Sequence, residues 1–139
     1  MALIDIDGAL IAAYIALGMG LETAYEGEEF SPPRDGSDWA SLFIVPATSE
    51  FNSLGVNGTD LHTGFMQIDF NTKHGTGRAA LLGYVETIRA EFVGGKAFTQ
   101  NSQSTRIDTV ERSAVREVDG FMRISVTVNW EAETIRPAV

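Results

Sequence analysis

The chain has no cysteine, two histidines and only two lysines, Lys73 and Lys96, among its 139 residues. Without cysteine there is no disulfide, no thiol nucleophile and no Cys-ligated zinc, so the core alone has to hold the fold. The same absence fits a reducing compartment. Positive charge is scarce: 10 Lys and Arg against 19 Asp and Glu leave −9. Nucleic-acid binders draw affinity from phosphates neutralised by Lys and Arg, which argues against DNA or RNA binding along the whole chain. A long apolar run is missing too. Residues 8–21 carry no charge, but spanning a bilayer takes about 20 apolar residues. A secretory signal would place positive charge ahead of that run, where this chain has Asp5 and Asp7. The N-terminal stretch reads instead as a core-packing helix of an intracellular protein. No internal repeat or low-complexity tract occurs.

What is present suits one domain, residues 1–139, able to bury roughly 68% of its unfolded surface. Leu3, Ile6, Leu10, Ala13, Tyr14 and Leu17 form an apolar stripe that predicts a helix over 3–17, ended by Gly18 and Gly20. A short strand is expected around Thr23–Phe30, then a turn-rich loop at Pro32, Pro33 and Asp35-Gly36. "WASLFIVPA" (39–47) reads as a strand buried on both faces, with Pro46 at its end or at an edge. Asn57-Gly58 marks a tight turn, and "LHTGFMQIDFN" returns with Met66, Ile68 and Phe70 on one face. Residues 40–70 therefore form a long hairpin whose polar tip, 48–62, protrudes. Leu81, Leu82, Val85, Ile88 and Phe92 define a second helix over Thr76–Phe92, stopped by Gly94-Gly95. "KAFTQNSQS" reads as a loop, strands follow at 104–112 and 121–130 joined near Asp119-Gly120, and 130–139 as a loose tail. The fold class is α+β: a mainly antiparallel sheet of about four to five strands with both helices on one face.

Few residues suggest chemistry. "NTKHGTGR" (71–78) resembles a phosphate loop in composition only. Such a loop needs G-x-x-x-x-G-K followed by Ser or Thr, whereas here the lysine precedes both glycines. The dinucleotide pattern G-x-G-x-x-G fails at Ala80. The simpler reading is a turn at Gly75 with Thr76 capping the helix. His62 and His74 flank a strand, too far apart to share a metal. "EGEE" (26–29), Asp35 and Asp38 lack the alternation of a calcium loop and read as a solvated acidic edge. Trp39 and Trp130 read as packing residues. No nucleophile, base and oxyanion site come together, so neither catalysis nor a cofactor is expected.

The whole-chain arrangement is more telling. "FSPPRDGSDWASLFIVPA", the hairpin tip "SLGVNGTDLHTGFMQIDF" and "GTGRAALLGYVETIRAEF", between an N-terminal helix and two closing strands, resemble the tail terminator family of long-tailed bacteriophages, the tail-completion proteins similar to the minor tail protein U of phage lambda. The resemblance implies a structural virion protein, assembled in the host cytoplasm and placed at the head-proximal end of the tail. It implies a ring of six copies that caps the major tail tube protein, stops its polymerisation and joins a head-completion or neck protein. DNA would pass through without specific binding, and no membrane is involved. Six copies at −9 each carry −54, a charge that would repel DNA in the lumen. The family pattern assigns no residue a role. Contact candidates come from the protruding arm (Phe51, Leu54, Val56, Asn57, Asp60 and His62), from the loop carrying Arg34, Asp35 and Trp39, and from Gln103 and Arg106. Competing readings are another neck, tail-completion or tube protein, a small phosphate-ligand domain using the Lys73–Arg78 turn, and an inert monomer.

Overall fold

The computed structural model describes residues 2–51, 53 and 58–135. Chain order is α1 (Ala2–Ala16), β1 (Glu22–Tyr25), β2 (Trp39–Phe51), β3 (Thr59–Lys73), α2 (Ala79–Glu91), β4 (Ala97–Gln100), β5 (Gln103–Arg112), β6 (Arg116–Val118) and β7 (Phe121–Ile135). The strands form one sheet in the order β1-β2-β3-β7-β5-β4, with β6 against β7. The α+β class holds, but the sheet has seven strands and is mixed, because β1 runs parallel to β2.

Period-2 alternation decides what each central strand buries. Ala40, Leu42 and Ile44 of β2, Met66, Ile68 and Phe70 of β3, and Ile124, Val126, Val128 and Trp130 of β7 face the helices. They meet Ile6, Leu10 and Tyr14 of α1 and Leu81, Val85 and Ile88 of α2, together with Phe92, in one core. Both helices thus lie on one sheet face, as their spacing implied. Leu3 is the exception in the α1 stripe, at 55% exposed.

Four expectations need correction. β2 is not buried on both faces throughout: on the outer face Trp39 is buried against Phe30 and Phe121, but Ser41, Phe43 and Val45 are only half-buried. The expected loop at 96–104 contains β4 and a tight turn at Asn101-Ser102, both at positive φ. The tail is not loose from 130: β7 continues to Ile135, paired with β3 throughout and burying Ala132 and Thr134. For the same reason the base of the arm is no isolated hairpin, since Phe51↔Asp60 continues into Asp60↔Thr134. Residues 54–57, including the turn assigned to Asn57, lie outside the described residues.

Two local devices set the shape of β2 and β3. Pro46 sits where β1 has already ended, on the outer side of β2, so its missing N–H removes no ladder bond. Opposite it, Gly64 lets Trp130 cross: a Cβ there would stand 2.5 Å from the Val45 carbonyl and 2.7 Å from the Trp130 ring.

α1 is held from both sides. Near its start Asn101 Nδ2 donates to Asp5 Oδ1 (3.0 Å), beside Gly8 against Gln100. Near its end the Tyr14 hydroxyl is hydrogen-bonded to Thr23 Oγ1 of β1 (2.9 Å). β4 and β1 are opposite edges of the sheet, about 24 Å apart if it were flat. Nine residues of helix span only about 13.5 Å. The sheet therefore curls, and α1 lies in the seam between its two edges.

Candidate assembly surfaces

The candidate contact residues divide between two ends of the sheet. Phe51, Asp60, His62, Gln103 and Arg106 lie toward the end of the sheet where Phe51 pairs with Asp60, His62 with Ala132 and Arg106 with Glu131. Phe51 is 74% exposed. His62 is tethered across three strands, Nδ1 to Ser49 Oγ and Nε2 to Thr134 Oγ1, both at 2.7 Å. Gln103 Nε2 donates to the Glu133 carbonyl (2.8 Å), and Arg106 pairs with Glu131. Of the candidates, Gln103 and Arg106 line a concavity of about 600 Å³ together with Leu61, Glu131, Glu133 and Ile135, whereas His62 lines a separate hollow beside Leu3 and Asp7 of α1.

The loop candidates sit at the other end, eleven residues of β3 away, or about 36 Å. Asp35 holds a local turn, accepting from Ser37 N (2.9 Å) and Ser37 Oγ (2.6 Å). Those bonds hold its carboxyl below the usual value. Trp39 is 8% exposed, packed between Phe30 (5.3 Å) and Phe121 (5.6 Å). It shapes this end from beneath rather than presenting its ring.

Sequence reasoning missed a buried polar network on the face away from the helices. Asp69 Oδ1 accepts from Gln67 Nε2 (3.0 Å) and Ser125 Oγ (2.5 Å). Ser125 Oγ accepts from Arg116 (2.7 Å), which also reaches Ser113 Oγ (2.9 Å), while Arg123 Nε donates to Asn71 Oδ1 (2.7 Å). The visible signal was Gln67, Asp69 and Asn71 alternating with the apolar Met66, Ile68 and Phe70 of β3. The acidic edge was also misread in part: Glu26 accepts the Ile44 backbone N–H (2.6 Å). Burial, and then Glu26 nearby, push Asp7 above the ordinary carboxylate value.

The glycine-rich turn behaves as local structure. Thr76 Oγ1 donates to the Lys73 carbonyl (2.7 Å) instead of capping α2, whose N-cap position is Arg78 with no side-chain cap. His62 and His74 lie near opposite ends of β3, and His74 pairs with Glu117 (3.1 Å). Among the described residues no three His, Cys, Asp or Glu side chains form a metal-binding group. No described helix is long and apolar enough to cross a membrane.

Strand order also sorts charge. Residues 1–72, which supply α1 and β1 to β3 apart from the last residue of β3, hold eleven carboxylates and one cationic side chain, Arg34. Residues 73–139, which supply α2 and β4 to β7, hold eight carboxylates and nine cations. The β1–β3 side of the sheet is strongly acidic and the β4–β7 side close to balanced, while α1, which touches both edges, adds Asp5 and Asp7 between them.

Residues 5–130 match the family model described as phage tail terminator protein. The chain belongs to the phage tail terminator family. Membership makes it a structural component of a phage tail, from a family not known for enzymatic activity. No curated protein matches the sequence. Solved structures do match; one has a TM-score of 0.69 at 14% identity, covering 94% of this chain and 97% of its own. That likeness shows a shared fold.

Proposed function

We propose that this terminator closes into a ring, of six copies, on the finished tail tube, halts its polymerisation and presents the surface that joins the head. The observation that carries the reading is the family match over 5–130, nearly the whole described fold. The geometry supports it in two ways. The two sides of the sheet differ in charge, which favours head-to-tail contacts between identical copies, and such contacts close a ring when the rotation per subunit is right. The contact candidates also lie at two ends about 36 Å apart, matching a ring with one face toward the tube and one toward the neck. The ring sits at the head-proximal end, and its acidic excess repels DNA in transit rather than holding it.

Light scattering across a concentration series tests this. Six copies of a 15.0 kDa chain give a discrete species of about 90 kDa. Charged substitutions at Phe51 and Leu54 should abolish it while leaving the far-ultraviolet circular dichroism of a folded chain. A growing polymer would indicate a tube subunit instead. Monomers at every concentration, together with bare ends when tail tubes are added, would overturn the ring.

A further inference from the structure

Between α1 and the β1 edge runs a groove with apolar walls and carboxylates that have no cation beside them. β1 pairs with β2 only at Trp39–Leu42, and two residues on the Glu26 carboxylate takes the Ile44 N–H (2.6 Å) that a strand carbonyl would otherwise accept. The hollow there, about 470 Å³, is lined by Ile11, Ile15 and Leu42 and by Asp7, Glu26 and Glu28. Ile15 is 59% exposed. Glu26 is close enough to Asp7 to disfavour its charge, and no Lys or Arg occurs in the chain before Arg34. Such a groove fits an aliphatic side chain with a cation next to it.

The free edge of β5 offers that combination. β4 pairs with β5 only at Gln103–Arg106. Beyond it the edge is followed by the end of α2: Arg89 Nη1 donates to the Val110 carbonyl (3.3 Å), and the Gly95 N–H donates to the Ile107 carbonyl (2.7 Å). Val93, between them in the chain, is 52% exposed. Arg112, two residues past Val110, is exposed as well. Neither Arg89 nor Arg112 forms an ion pair among the described residues. Of the acids nearby, Glu91 is held by Lys96 (2.7 Å), and Glu111 alternates with Val110 and Arg112 and so stands on the opposite face of β5. Glu86, one turn before Arg89 on α2, is exposed and forms no ion pair either.

We propose that the Arg89–Val93 corner of one copy docks in the groove between α1 and β1 of the next, with Val93 against Ile11 and Ile15 and Arg89 against Glu28 and Asp7; the inference rests on the ring reading above. Charge selects a second copy as the occupant, because the chain carries both halves of the complement: carboxylates without a cation on one margin, guanidinium groups without a carboxylate on the other. Two such grooves facing each other would set Asp7, Glu26 and Glu28 against their own copies, which disfavours a twofold contact here. In the sheet β3 and β7 separate the two patches. A contact between different patches of identical chains is head-to-tail, the kind that closes a ring.

Charge exchange tests the contact, with light scattering as the readout and circular dichroism to confirm folding. Arg89→Glu and Glu28→Arg should each weaken association more than about tenfold, because each sets like charges together. The double variant should regain the wild-type oligomer. An equimolar mixture of the two single variants should assemble as well, in rings of even number only, since alternating copies give every contact one cation and one carboxylate. Single variants that assemble like wild type overturn the proposal and leave the ring intact. A loss that neither the double variant nor the mixture restores overturns it too. If the wild-type chain is monomeric at every concentration, the ring reading fails in solution and a coupling experiment decides the contact by itself. Arg89→Lys, as a concentrated mixture of isotope-labelled and unlabelled chains, is treated with a zero-length carbodiimide. An amide between residue 89 and Glu28 that joins a labelled to an unlabelled chain supports the contact; its absence overturns it.

Discussion

Gly64 and Gly83 look alike in the sequence and differ in what surrounds them. At Gly64 a methyl would enter space already held by backbone and by the Trp130 ring, whereas nothing lies within 4 Å of the corresponding point at Gly83 in α2. Gly64→Ala should therefore destabilise the fold by about 2 kcal/mol. Gly83→Ala should stabilise it by about 0.5–1 kcal/mol, since alanine loses less backbone freedom in a helix. Urea unfolding of the two variants checks both signs. Tyr84 allows a titration test. Burial and its hydrogen bond to Asp38 push its phenol up to about 12 from the usual 10.0. Between those values the folded chain keeps a proton that the unfolded chain has lost, so stability is intact below pH 10 and falls as pH rises toward 12. Tyr84→Phe should flatten that part of the stability–pH curve. A slope unchanged by the substitution would assign it to another group.

The individual elements were legible where periodicity was strong. Met122 to Trp130 alternate so regularly that β7 was evident, as were the inner faces of β3 and α2. The misreadings came where the deciding contact lies far away in the chain. "EAETI" (131–135) has no strong apolar pattern, and it is a strand because β3 offers it backbone partners along its whole length, with β5 alongside at Glu131. A chain ending at Trp130 should therefore lose cooperative folding by circular dichroism, whereas a loose tail would be dispensable. β1 is likewise too short to stand alone and exists through its parallel pairing with Trp39–Leu42. Thr76 has the residue type of an N-cap, yet its hydroxyl is taken by the Lys73 carbonyl and α2 starts three residues later.

For the whole molecule the central question is cooperativity. Trp130 is embedded in the core beneath the helices, while Trp39 packs against Phe30 and Phe121 on the opposite face. If the two faces belong to one cooperative unit, the variants Trp39→Phe and Trp130→Phe should each report a single transition by fluorescence. Each transition should coincide with its own loss of far-ultraviolet signal when measured on monomers. Separate midpoints within one variant would mean that the outer-face cluster melts independently. Of the candidate site, composition and family resemblance pointed to assembly rather than chemistry, and the arm was proposed from apolar residues in a polar stretch, of which Phe51 is exposed in the structure. The hollows between α1 and β2 were not legible, since Leu3, Ile11 and Ile15 become a wall only once β2 runs beside them.

The sequence by itself determined that the chain has no thiol chemistry, that it carries a large acidic excess, and which residues face the core in its longest strands and helices. These depend on composition and on periods of two and 3.6, which are local properties. Only the tertiary structure decided that the sheet curls until α1 bridges both edges, that Glu26 substitutes for a missing strand, and that acidic and balanced halves fall on opposite sides. Each of these depends on strand order and on contacts between distant segments, which local spacing does not encode.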